Sequence, residues 1–231
     1  MAFATVMVQA EAQKTINDPN AEVRTVSGFH AIRISNAIDL YLTQSDQEAV
    51  AVSASEAKYR DQIRTVVENG VLKIYVEKDN WKVWNRGDKK LRAYVSFKTL
   101  DKLHASGAVD VTVEGVIKSD GLTINLSGAS DFKGKVETGS LVVDQSGASD
   151  ATVSGSASNI QVEVSGASRF RGNGLQTENC KARASGASDV TITVNKELRA
   201  HASGASKIQY SGDGVIKEVH TSGASSINKR G

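Results

Sequence analysis

With 231 residues, 39% of them hydrophobic and 5% aromatic, the chain is long enough for one large domain or two modest ones. A net charge of +2 sets 28 basic against 26 acidic residues, well mixed, so the balance favours neither nucleic acid nor an anionic membrane as partner. The single cysteine, Cys180, cannot close an internal disulfide, and no spacing offers a zinc site. It shares parity with Ala182 and Ala184, which makes it a small core residue.

The chain opens on an apolar run, Met1 to Val8, followed by Ala10-Glu11-Ala12, a small-x-small cleavage pattern. Residues 1–12 therefore read as the end of a secretory signal peptide without its basic leader. A short buried strand or helix is the alternative reading. No later stretch approaches the ~18 apolar residues of a membrane span. Export to periplasm, cell surface or medium is the expectation.

Residues 13–100 read as a strand-rich, less regular region. Phe29 to Ile34 alternates, and Ile38 to Leu42 and Ala49 to Val52 are further short strands. Ser55 to Ile63 is the one plausible helix, with Ser55 as its N-cap. Asn69-Gly70 between two apolar runs is a two-residue hairpin signal. Asp79 to Lys90 is a polar loop holding Trp81 and Trp84, and Leu91 to Phe97 returns to alternation.

From residue 101 to 228 the chain repeats itself. Ser-Gly-Ala recurs at Ser106, Ser127, Ser146, Ser165, Ser185, Ser203 and Ser222, at spacings of 21, 19, 19, 20, 18 and 19 residues. Ser35-Asn36-Ala37-Ile38-Asp39 is a degenerate copy. A near-fixed period of this size means stacked units, each too small to bury its own apolar face. Counting the serine as position 0, apolar residues fall at −5, −3 and −1 (Leu122, Ile124, Leu126) and again at +5 and +7 (Val111 and Val113). Period-two alternation runs through the motif without a phase change. That parity turns the glycine at +1 and the serine at +3 inward, and the serine at 0, the alanine at +2 and the charge at +4 outward.

This pattern predicts an all-β fold: a right-handed parallel β-helix with rungs of about 19 residues, preceded by the strand-rich N-terminal region. About thirteen extended residues would span some 40 Å, so the chain must bend within each rung. The inward glycine is the expected bend, and the +3 serines are expected to stack as a hydroxyl ladder. A sandwich of antiparallel hairpins is the alternative, but reversing strands would not stack identical residues.

At +4 the parallel register would build a column of alternating sign, Asp150, Arg169, Asp189, Lys207, preceded by Asp131 and Asp110. Asp110 beside Asp131 is either mildly repulsive or a cation site. The column is expected to be a structural ladder rather than a lyase-like site, because uniform rungs supply no loops to build a cleft. His104, His201 and His220 share position −2 and read as surface histidines; no metal or cofactor is expected. Trp81, Trp84, Asn85 and Arg86 are the candidate ligand-binding residues, since an exposed tryptophan pair can stack on a sugar ring or anchor a protein. The flat strip of 0 serines and +2 alanines, and the open ends of a solenoid, make a homo-oligomer a further expectation.

The Ser-Gly-Ala-Ser-Asp rungs, the Phe29-x-x-Ile32-x-Ile34 opening and the Asn69-Gly70-Val71-Leu72-x-Ile74 hairpin resemble the family of putative autotransporter adhesins with a head GIN domain (DUF2807), over roughly residues 26 to 228. The resemblance implies a secreted β-helical protein of a kind abundant in Bacteroidetes, and carries no catalytic residue. The expected function is a non-enzymatic surface or envelope protein binding a glycan or protein partner. A polysaccharide-acting enzyme and a structural scaffold are the alternatives.

Overall fold

A computed structural model describes residues 18–77 and 89–230. The N-terminal part supplies β1 (Glu22–Arg24), β2 (Ala31–Ser35), β3 (Asp39–Gln44), β4 (Ala49–Ser53), a single helical turn α1 (Ala57–Arg60), β5 (Ile63–Glu68), β6 (Val71–Val76) and β7 (Arg92–Phe97). The repeats supply β8 (Lys102–Gly107), β9 (Asp110–Gly128), β10 (Asp131–Gln145), β11 (Asp150–Val164), β12 (Arg169–Ala184), β13 (Asp189–Ala202), β14 (Lys207–Ser211), β15 (Val215–Thr221) and β16 (Ser226–Lys229).

The repeats stack as the alternation requires. β9 to β13 pair side by side in parallel, so that Asp131 lies between Asp110 and Asp150, and Ile160 between Leu141 and Cys180. Identical repeat positions therefore form columns along the axis of a parallel β-solenoid, about 4.8 Å apart per rung. The −3 column, Leu103, Ile124, Val143, Val162, Ala182 and Ala200, is buried throughout. Its large-to-small taper is offset elsewhere in the interior by Phe132 and Phe170, both buried. A Cβ on Gly134 would lie 2.9 Å from Phe132 Cζ, and one on Gly172 would lie 2.6 Å from Phe170 Cε1. The glycine two residues after each phenylalanine is thus the space its ring occupies.

The corner differs from the sequence reading in one respect. Gly128 is exposed, not inward, with φ +77°, and Ala129 beside it is exposed too. Two outward residues separate Ser127 from the buried Ser130, so parity is conserved across the bend while the glycine sits on its outer side. The +3 serines do form an interior ladder. Ser130, Ser149, Ser188 and Ser206 each donate to the carbonyl of the 0 serine in their own rung, at 2.8–3.2 Å. Ser149 Oγ also meets Ser168 Oγ at 3.3 Å. Val109 and Ile38, fully buried, hold this place at the first corners.

The degenerate corner at Ser35 is in register with the regular ones, Ser35 opposite Ser106 and Ser106 opposite Ser127. Asn36 replaces the glycine at φ 72°. β2 and β3 are flanked on their far side by β6 and β7, both parallel to them, so the outermost rung comes later in the chain than the rung it covers. Antiparallel strands then cover that outermost rung: β5 pairs β6 through the Asn69-Gly70 turn, and β4 pairs β7 with β1 outside it. Tyr94 stacks on Tyr41, 5.2 Å between rings, and donates to Asp18 at 2.9 Å, which ties the start of the described chain to this face.

The expected helix over Ser55–Ile63 shrinks to the one turn of α1. Its N-cap is Glu56, whose side chain makes no capping bond. Ser55, the expected cap, lies one residue earlier, in a bend, with its amide donating to Lys89 O at 2.8 Å. Lys58 pairs with Glu56 at 2.8 Å, and Tyr59 is the turn's buried residue.

Candidate functional site

The sequence-based candidates Trp81, Trp84, Asn85 and Arg86 lie outside the described residues, as does the apolar start of the chain. The strands flanking that tryptophan stretch, β6 and β7, form the outermost rung at the N-terminal end.

The +4 residues lie in one axial column. Arg169 sits 3.6 Å from both Asp150 and Asp189, and Arg171 reaches Asp150 at 3.1 Å. Asp131 is flanked by Asp110 and Asp150 in register. Burial, then the charges of Asp110 and Asp150, pushes its carboxyl above the ordinary value. Lys207 stands opposite Asp189. This column is on an open lateral face.

The concave feature is elsewhere. A groove of about 730 Å³ runs along the solenoid beside the corner, lined by residues at −2, −1 and 0. Its −2 column reads His104, Asn125, Asp144, Glu163, Arg183, His201, His220, each in register with the next. Towards the N-terminal end the column continues through Arg33 and Lys73. His104 to His220 crosses six rung spacings, about 29 Å. The serines at 0, among them Ser127, Ser146 and Ser165, run beside it. Period-two alternation puts these polar side chains outward because their neighbours at −3 and −1 are the core.

The groove changes sign along its length. Asp144 and Glu163 make its centre acidic and Arg183 with two histidines follows, while beyond His104 the same column carries the basic Arg33 and Lys73. Burial, reinforced by Glu163, pushes the Asp144 carboxyl above its ordinary value, with Lys102 opposing. Burial, then Arg33 and Lys102, pushes the His104 imidazole below its ordinary value. Glu163 accepts from Arg183 at 3.1 Å and from Gln161 at 3.2 Å. His201 Nε2 meets Glu218 at 2.9 Å, and the His201 and His220 rings are 5.9 Å apart. Among the described residues, no three of His, Cys, Asp and Glu converge as a metal-ligand set. Gln145, between the apolar −1 residues Leu126 and Val164, is polar and buried; it donates to Ser149 O at 3.1 Å and to Arg169 O at 3.2 Å.

The sequence reading missed the groove. The −2 residues differ in type from rung to rung, so no motif marks them; the one available signal was that every member is polar, with an apolar residue before it at −3.

A parallel β-solenoid with an axial polar groove is the architecture of a protein that presents an extended surface. The chain belongs to the family described as putative auto-transporter adhesin, head GIN domain, which matches residues 28–214. Comparison with curated proteins gives no match. Among solved structures, a putative adhesin from Bacteroides fragilis is similar at TM-score 0.80 and 21% identity, over 91% of this chain and 96% of that one. A putative lipid binding protein from Parabacteroides distasonis follows at TM-score 0.70 and 20% identity, over 94% and 98%. A putative adhesin from the same species has TM-score 0.70 and 16% identity, over 91% and 96%. At these identities the likeness establishes the fold. Among the described residues no helix is long and apolar enough to cross a membrane.

Proposed function

We propose that this protein is an exported, non-enzymatic binding module of the adhesin type, and that its ligand is an extended glycan lying in the axial groove. One observation carries the reading: an unbroken column of polar side chains lines about 730 Å³ of concave surface. A chain lying along this groove runs perpendicular to the strands. It therefore cannot add to the sheet by backbone pairing, as an extended peptide does. Only side chains meet it, one per rung, and Asn, Asp, Glu, Arg and His together offer the donors and acceptors that sugar hydroxyls require. Trp81, Trp84, Asn85 and Arg86 enter the proposal through their place in the chain, between the two strands of the outermost rung, beyond the groove along the same axis.

A glycan array followed by calorimetry tests it. Binding should fall about tenfold or more in Asp144→Ala/Glu163→Ala, with the melting temperature unchanged or raised. Binding unaffected by that double variant removes the groove from the reading, and loss only in Trp81→Ala/Trp84→Ala moves the site to the tryptophan stretch. Release of products from an acidic glycan, dependent on Asp150 or Arg169, would instead make the protein an enzyme.

A further inference from the structure

The two ends of the solenoid are finished differently. At the N-terminal end, antiparallel strands cover the outermost parallel rung. At the other end, among the described residues, β15 pairs only with β13, and β16 only with β14. Each is an edge strand with a row of open backbone donors and acceptors.

β15 is also the most apolar exposed element among the described residues. Val215, Ile216 and Val219 are 60%, 46% and 47% exposed. Register says why. Ile216 stacks on Leu198 and Val219 on Ala200, both fully buried, so both continue core columns, with no described rung stacked on them. A register shift between Leu198 and Arg199 leaves Lys217 as an extra residue. Lys217 faces outward with Glu218, since it lies 3.6 Å from Glu197, while Glu218 stacks on Arg199 and meets His201. The strand therefore reads in, out, out, in over residues 216–219.

That order is the same in both directions. Turned end for end about a twofold axis between Lys217 and Glu218, β15 lies antiparallel to itself with Ile216 opposite the partner's Val219, and Lys217 opposite the partner's Glu218. Core meets core, and opposite charges meet twice.

We infer that β15 is an isologous dimerisation edge, through which a second copy of this chain joins the two solenoids end to end into one continuous sheet. The contact closes on itself because both partners use the same patch. Because both copies present the same edge, β15, the contact uses it up on each copy and the assembly stops at two.

Sedimentation velocity on the full chain over a broad concentration series tests this. A monomer–dimer equilibrium with no larger species is expected. Val219→Lys, at a half-exposed position, should leave the far-ultraviolet spectrum unchanged while the dimer disappears. Lys217→Glu should weaken the dimer about tenfold, because each of its two charge pairs becomes repulsive. Lys217→Glu/Glu218→Lys should restore most of the loss, although it gives up the contacts to Glu197 and His201. A monomer at every concentration overturns the inference. So do filaments growing beyond two copies, a dimer that survives Val219→Lys, or a charge reversal that fails to rescue.

Discussion

Gly147 stands directly over Gly128: a Cβ on Gly147 would lie 2.5 Å from the Gly128 carbonyl oxygen, which is also the acceptor for the Ala148 amide at 2.8 Å. The residue is also held at φ +80°. Gly147→Ala therefore meets two penalties, the left-handed backbone and a clash with a carbonyl fixed by the sheet ladder. Urea unfolding should show a loss of about 2–4 kcal/mol. Asn36, the non-glycine at the equivalent place, provides the control, since its φ of 72° suits glycine at least as well. Asn36→Gly gives up only the bonds that Asn36 Oδ1 accepts from Ser35 Oγ at 2.8 Å and Val76 N at 3.4 Å, so it should cost about 1 kcal/mol, less than Gly147→Ala.

The interior serines differ in what their hydroxyls hold. Ser168 Oγ accepts the Ser149 amide at 3.2 Å and donates to Gly147 O at 3.3 Å, linking two rungs inside the core. Ser130 Oγ donates to Ser127 O at 2.9 Å within its own corner. Ser168→Ala removes the acceptor of a buried amide, and Ser130→Ala removes a donor from a carbonyl at the surface corner. Denaturation should rank Ser168→Ala the more costly, at about 1–3 kcal/mol against about 1 kcal/mol for Ser130→Ala. The reverse order would show that the ladder is not carried between rungs.

These two cases mark how far the sequence could be read. Fixed spacing and unbroken parity placed Ser130 in the core and Asp131 outside, because Ser130 is four positions on from Leu126 and an even step preserves parity whatever the path between. Parity could not say which way Gly128 faces, since a left-handed φ carries the chain around the corner on its outer side. The groove stayed hidden for a different reason. Asn125, Asp144, Glu163 and Arg183 become one lining only after rungs are stacked, and concavity has no one-dimensional signature. The stacking of β6 and β7 outside β2 and β3 was equally illegible, because order in the chain is not order along the axis. The rest of the candidate site, Trp81 and Trp84, is a sequence feature outside the described residues.

Three aspartates in register, Asp110, Asp131 and Asp150, create a pH-dependent cost. The folded Asp131 carboxyl is pushed above its ordinary value by burial and by its two acidic neighbours. The folded state therefore holds its proton more tightly than the unfolded chain. The penalty is absent below the unfolded carboxylate range and complete above the folded one. Asp131→Asn should raise stability at neutral pH by a fraction of a kcal/mol, about 0.5 or less for so exposed a site. The gain should fade as pH drops through the carboxylate range, and shrink in high salt. A gain that persists unchanged at acid pH would attribute it to packing rather than charge.

Cys180 offers a reporter of how the rungs open. It stacks between Ile160 and Leu198 in the buried −5 column, and burial pushes its thiol up to about 12. At mildly alkaline pH the folded protein thus presents neither access nor thiolate, and a thiol reagent must wait for the sheet to separate. Labelling in native buffer should be very slow, and immediate in denaturant. The native rate should then track the stability of the corner in the same rung. A Cβ on Gly186 would stand 2.7 Å from Gly166 O at φ +75°, so Gly186→Ala should accelerate Cys180 labelling by the factor its loss of stability sets, about tenfold per 1.4 kcal/mol. Gly70→Ala, in the hairpin of the opposite end, should accelerate it less if rungs open locally, and equally for equal loss of stability if the solenoid unfolds as one unit. Prompt stoichiometric labelling of the folded chain would contradict the burial of this column.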